Sequence, residues 1–380
     1  MGAALALLAA WPGVVAADAG CPPRGAWMDP ASGEAVAHDA LLARLAREDV
    51  VLLGERHAQA EHQRWQLHTL AGLHARRPNL VLGLEMFPRR VQEVLDRWVA
   101  GELDEAEFLR ESEWDTVWGY DPAAYLPLFH YARMHRIPMV ALNVDRAVMG
   151  RIRERGFDQV PRAERDGVGE PAPASPAYRE ALERAFRRHA RPEHGGAAEE
   201  MLARGVERFI QAQLTWDRAM AEGIHTALQR DERPLVVGLM GSGHVEHGHG
   251  VPAQLADLEV AKVRVLLAWP EDARCEGVVA GLADAVFGIQ RRETPPPQRL
   301  GILLSQDEAG VRVEGVEPQG VGEAAGLREA DVIVRAGGRE VRAPRDIIAI
   351  VREQPPGSWL PLEVLREEAH EQLIAKFPVP

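Results

Sequence analysis

Cysteine is nearly absent: the 380 residues hold two, Cys21 and Cys275. That count excludes a disulfide-stapled scaffold and a cysteine-ligated zinc module. No basic stripe offsets the net charge of −13, which argues against a nucleic-acid partner. No G-x-S-x-G elbow, no Walker loop and no G-x-G-x-x-G after a strand occurs. Serine-hydrolase, nucleotide-phosphate and dinucleotide readings lose their usual signatures. The apolar run at the start, Ala3 to Ala17, is too short for a membrane span. What is present is ordinary for a globular protein, 46% hydrophobic and 27% charged, in a chain long enough for two or three domains.

The start of the chain bears on its address. Ala17-Asp18-Ala19 is a small-x-small cleavage pattern, followed by Gly20-Cys21. Residues 1–20 thus read as an export signal, of lipoprotein type if Cys21 is acylated and tethers the chain to a membrane. A plain cleaved signal and a cytoplasmic start with an apolar leader are the alternatives. In an exported chain Cys21 and Cys275 could instead pair; sequence does not place them in space.

Three short apolar runs each deliver a titratable residue. Val50-Val51-Leu52-Leu53-Gly54 leads into Glu55, Arg56 and His57, with His62 five residues on. Leu80 to Leu84 ends in Glu85, and Leu235 to Met240 leads into Gly241-Ser242-Gly243-His244. Pro138 to Asn143, Lys262 to Ala268 and Asp284 to Ile289 read as further strands, separated by stretches of helical period such as Ala60 to Arg77. The alternation predicts an α/β domain over 35–290, a mostly parallel central sheet flanked by helices with a helical insertion. In such a sheet the strands' carboxyl ends share one edge, above which ligands bind. Glu55, His57, His62, Glu85 and His244 are therefore expected to converge there. Asp217, on the apolar stripe of a long helix, either faces this site or is hydrogen-bonded structure. Phe157 to Pro176, rich in Pro, Gly and charge, reads as a mobile loop.

Imidazoles beside carboxylates suit a divalent transition metal or proton transfer near neutral pH. A metal would take His57, His62, Glu85 and His244. A metal-dependent hydrolase would work through Glu55, His57, Glu85 and His244, with Glu55 as base. The bland alternative is that these histidines cap helices or hold loops, as His247 and His249 equally could. Around the helical insertion, Tyr178, His189 and His194 carry side chains that can ligate haem iron, or are packing and surface residues.

At Thr294-Pro295-Pro296-Pro297 the style changes, and 291–297 reads as a stiff linker. Beyond it the segments shorten and alternate, with Gly320, Gly326, Gly337 and Gly338 as punctuation, predicting a small β-rich domain over 298–380.

Together these motifs resemble the ChaN-like haem-binding lipoproteins, relatives of the Tiki metalloproteases and erythromycin-esterase-like proteins. The matching residues are Leu53 to His57 with His62, Gly83 to Phe87, Ala141-Leu142-Asn143, Gln213 with Trp216-Asp217 and Met220, and Gly241 to His244 with Gly250-Val251-Pro252. Ala58 departs from the pattern, standing where such proteins often carry an acidic residue. The resemblance implies an exported, often dimeric protein of the periplasm or envelope that holds haem through tyrosine or histidine and serves iron uptake. Tyr178 is the first candidate ligand, and His189 or His194 the second. Residues 298–379 resemble a PDZ domain, with Leu300-Gly301-Ile302 as the loop that receives a peptide's terminal carboxylate and Asp346 to Val351 beginning the groove helix. The expected function is haem handling with a PDZ-bound peptide or protein partner. The rivals are the hydrolase and an envelope scaffold whose polar centre is vestigial.

Overall fold

The computed structural model describes residues 20–189, 196–271, 273–290, 298–307 and 310–379. The chain divides into two compact units between Arg291 and Arg292. The first runs β1 (Trp27–Met28), β2 (Ala35–Val36), α1 (His38–Leu45), β3 (Val50–Glu55), α2 (Ala60–His74) and β4 (Leu80–Pro88). It continues with α3 (Gln92–Ala100), α4 (Glu105–Glu111), α5 (Trp114–Val117), α6 (Leu126–Met134), β5 (Met139–Asn143) and α7 (Arg146–Arg155). Then come α8 (Pro176–His189), α9 (Gly196–Leu228), β6 (Leu235–Gly241), α10 (Val251–Asp257), β7 (Val263–Pro270) and β8 (Ala285–Ile289).

Eight strands form one sheet in the order β2-β1-β8-β7-β3-β6-β4-β5. Pairing is parallel from β8 through β5, and β1 runs antiparallel to β8. Each of β3, β4 and β6 is buried along its whole length, as expected of strands covered on both faces. Alternation assigns the faces. Val51 and Leu53 pack with Trp65, Trp98, Phe108 and Phe129, while Val50 and Leu52 pack with Met220, Ile224 and Leu255 of the α9–α10 layer. The expected α/β architecture is therefore present. β1 and β2, two residues each, carry no period and were not expected.

Two expectations are corrected. The stretch after α7 is packed: it folds into short turns at Phe157–Gln159 and Arg162–Arg165, and Val160 and Val168 are buried beside Val148, Ile152 and Ala219. Two apolar side chains separated by polar residues give no periodic signal, which is why it reads as a loop. Cys21 is bonded to Cys275, with Cα atoms 5.0 Å apart. A sulfur in a disulfide cannot carry a thioether-linked lipid, so the expected tether through Cys21 is replaced by a covalent link to the far end of the unit. The remainder of the leader and the 291–297 linker lie outside the described residues. Among the described residues no helix is long and apolar enough to cross a membrane.

The second unit contains β9 (Ile302–Asp307), β10 (Gly310–Val316), α11 (Val321–Ala325), β11 (Val332–Ala336), β12 (Arg339–Glu340), α12 (Pro344–Arg352), β13 (Trp359–Arg366) and β14 (Ala369–Lys376). Its antiparallel sheet has the order β14-β13-β11-β10-β9, and β12 pairs with β11. Val311, Val313, Ile333, Leu362 and Val364 supply its core together with Ile347, Ile350 and Val351 of α12.

Candidate functional site

Neighbouring strands β3, β6 and β4 end side by side, and each contributes to one polar centre. Glu55, the last residue of β3, is buried, and its Oε1 lies 2.8 Å from His57 Nδ1. The same carboxylate accepts the Tyr125 hydroxyl at 3.0 Å and the Gln63 side-chain amide. It is fully engaged, and it fixes the imidazole with Nδ1 turned inward. His57 remains 30% exposed, with Trp118 edge-on at 4.7 Å.

The second half is built from α9 and the turn after β6. His244, in the short helix Ser242–His244, sets Nδ1 at 2.6 Å from Asp217 Oδ1. Asp217 is fully buried, and its Oδ2 accepts the Tyr178 hydroxyl at 2.7 Å. Glu85, on β4, stands between the halves. Its Oε2 accepts the Gly241 amide at 2.6 Å, and its Oε1 is 3.5 Å from His244 Nε2. Two glycines make this closeness feasible. A Cβ on Gly241 would lie 3.1 Å from His57 Nε2. One on Gly250 would lie 2.4 Å from the His244 carbonyl oxygen, at a φ of +57° that disfavours any side chain.

The electrostatics follow from this arrangement. Burial opposes charge on His244, but Asp217 and Glu85 outweigh it and raise the imidazole to about 9. His57 is raised in the same way: burial opposes the proton, and the Glu55 hydrogen bond with the charges of Glu85 and Glu55 overcomes it. Both imidazoles thus favour the protonated form.

His62 does not join them. It is buried, its Nδ1 faces the Arg56 amide at 3.4 Å, and its Nε2 has no partner among the described residues. Burial, reinforced by Arg56, lowers it to about 4, so it is neutral. The helix turns about 100° per residue, and this places Gln63 toward Glu55 instead. Nor is the expected metal set assembled: among the described residues no group of three or more His, Cys, Asp or Glu could hold a metal ion. The inward ring nitrogens are taken by Glu55 and Asp217, and His62 is turned away.

The haem candidates separate as well. His194 lies outside the described residues, and of His189 only its place at the end of α8 is described. Tyr178 is buried, donates to Asp217 and stacks on His249 at 5.1 Å. Burial first, and then the Asp217 charge, push its phenol far above the usual range. In this arrangement Tyr178 supports Asp217, and a ligating phenolate would stand beside a carboxylate. Tyr178→Phe is expected to cost about 1.5–3 kcal/mol of stability, the range for a hydrogen bond to a charged group, and to leave hemin affinity unchanged. Urea unfolding and a hemin titration check this; lost hemin binding at intact stability would return Tyr178 to the ligand role.

A cleft of about 570 Å³ runs beside the centre, along the ends of β4 and β5. Met86, Pro88, Trp118, Val144, Met149 and Trp216 give it apolar walls, and Arg90, Arg146, Arg151 and Arg153 line it with Asp145 and Asp166. Trp118 touches His57, and Trp216 lies 5.2 Å from His244. Arg90 is held by Glu113 and Asp145. Arg151 Nε and Trp216 Nε1, both buried, donate to nothing among the described residues. Apolar walls beside a largely cationic lining fit a flat apolar molecule bearing carboxylates, which is the chemistry of haem.

A family model described as haem-binding uptake, Tiki superfamily, ChaN, matches residues 41–255. The chain belongs to this ChaN family. A PDZ domain model matches residues 298–376. Among solved structures, ChaN of Campylobacter jejuni, described with cofacial haem binding, is similar at 18% identity and a TM-score of 0.54. That match covers 69% of this ChaN-family chain and 95% of the other. Among curated proteins, the magnetosome formation protease MamE of Magnetospirillum gryphiswaldense is 42% identical over 93 residues, 24% of this chain and 12% of MamE. A probable periplasmic serine endoprotease DegP-like of Halomonas elongata is 31% identical over 108 residues, 28% of this chain and 22% of that protein. The chain spans less than a quarter of the length of these curated relatives.

The residues that sequence reasoning missed are Tyr125 and Gln63, which hold Glu55, and Trp118, which stands with Trp216 of the family pattern between centre and cleft. The Trp/Tyr-rich stretch around Trp118 and Tyr125 was the available signal; nothing singled out Gln63 from its helix.

Proposed function

We propose that this chain is an exported haem-handling protein of the cell envelope, serving haem or iron uptake, whose PDZ domain docks it to the C-terminus of an envelope partner. The observation that carries the reading is the cleft, apolar-walled and arginine-lined, in a chain of the ChaN family. Bound there, haem would supply its iron for ligand or electron exchange. The chain would supply the apolar walls, Met86 and Met149 among them, and the Arg146, Arg151 and Arg153 cations for the propionates. Hemin titrated into the purified chain is expected to give a saturable Soret shift. Arg146→Glu combined with Arg151→Glu should weaken it about tenfold, the scale of one lost charge-assisted contact. A spectrum that never saturates, or one indifferent to both arginines, removes the proposal.

The Glu55–His57 pair favours a second reading. With Nδ1 held by a buried carboxylate, the part-exposed imidazole could transfer a proton at Nε2, as a general acid–base would. Turnover of an ester or amide panel that is lost in His57→Ala and in Glu55→Gln supports it; turnover equal to that of the variants ends it.

A further inference from the structure

The groove of the second unit is shaped for one class of C-terminus, a conclusion that rests on the PDZ reading of that unit. β9 lies at the edge of its sheet and pairs, among the described residues, with β10 alone. Between β9 and α12 runs a groove of about 830 Å³. Gln306 Nε2 donates to the Arg342 carbonyl at 3.2 Å, which sets the start of α12 beside the end of β9. Val351 and Arg352 therefore lie toward Leu300, and Pro344 and Ile348 toward Leu304.

The Leu300 end is made for an anion. The Leu300 and Gly301 carbonyls accept from Gly322 and Glu317, while their amides donate to no group among the described residues. Arg299 and Arg352 line the same end and form no ion pair among the described residues, against one lining carboxylate, Glu317. A terminal carboxylate seated there makes the bound strand run opposite to β9. Its last and third-from-last side chains then face the groove together, since a strand repeats every two residues. The last meets Leu300, Ile302, Ile347 and Val351. The third-from-last meets Leu304, Pro344 and Ile348, none of which can donate or accept a side-chain hydrogen bond.

We propose that this groove selects free C-termini with an apolar side chain at both the last and the third-from-last position. A serine or threonine at the latter would bury a hydroxyl with no partner.

Anisotropy of short labelled peptides with the full chain tests this. Peptides ending Val-Ala-Val and Ser-Ala-Val, and the first of them amidated, form the set. The valine peptide is expected to bind about tenfold tighter than the serine peptide, and amidation to weaken it by about tenfold or more. Ile348→Ser, at a residue 44% exposed and so safe for folding, should erase most of the valine preference while keeping the carboxylate dependence. Serine equal to or better than valine, with amidation still harmful, overturns the apolar preference and leaves the PDZ reading standing. Amidation without effect, or no binding by any peptide, overturns both.

Discussion

Asp217→Ala is expected to destabilise the first unit by about 3–5 kcal/mol, the range for removing one partner of a buried ion pair. Asp217 is completely buried and serves two donors, His244 Nδ1 at 2.6 Å and the Tyr178 hydroxyl at 2.7 Å. Alanine strands an imidazole that favours the charged form and a buried phenol at once. Asparagine keeps one acceptor and the volume, so Asp217→Asn should cost less while lowering the His244 pKa. Urea midpoints for the three proteins, with a histidine titration by NMR, decide the matter. If Asp217→Ala unfolds at the wild-type midpoint, the pair contributes nothing.

The second large effect is a dependence on alkaline pH. His244 titrates at about 9 in the folded chain against 6.5 as a free side chain. Because the folded value is the higher, its contribution is complete below pH 6.5. It declines as pH rises and is gone once pH passes about 9. At about 1.4 kcal/mol per unit the loss across that window is on the order of 3 kcal/mol. His57 shifts the same way and adds to it. On the acid side His62 has the opposite sign: its folded value of about 4 lies below 6.5, so stability is lost as pH falls between the two. Thermal melts across these ranges should trace a dome, and Asp217→Asn should flatten its alkaline limb. An alkaline limb shared unchanged by that variant would assign the loss to other groups.

Much of the fold was legible because buried parallel strands are written as unbroken apolar runs. Val50 to Gly54, Leu80 to Leu84 and Leu235 to Met240 each took the expected place, and their ends meet at one edge. The pairing inside the site was less legible. His62 and Gln63 are adjacent letters, and only the rotation of α2 decides which faces Glu55. Asp217 looked like a cost within an apolar stripe until His244 and Tyr178, 27 and 39 positions away, were set against it. Tyr178 was read by its capacity to bind iron, whereas its hydrogen bond belongs to a carboxylate on another helix. The PDZ groove was the easier part, since its loop, Leu300 to Ile302, and its helix, Pro344 to Arg352, are each one short unbroken stretch of sequence.

The bond between Cys21 and Cys275 spans 254 positions and so encircles β3, β4, β6 and every residue of the polar centre. Restricting so long a stretch of unfolded chain is worth about 5 kcal/mol in the chain-entropy picture. It also makes the unit a closed hoop: a protease that cuts anywhere between the two sulfurs leaves a single covalent body, which comes apart only when a reductant opens the clasp.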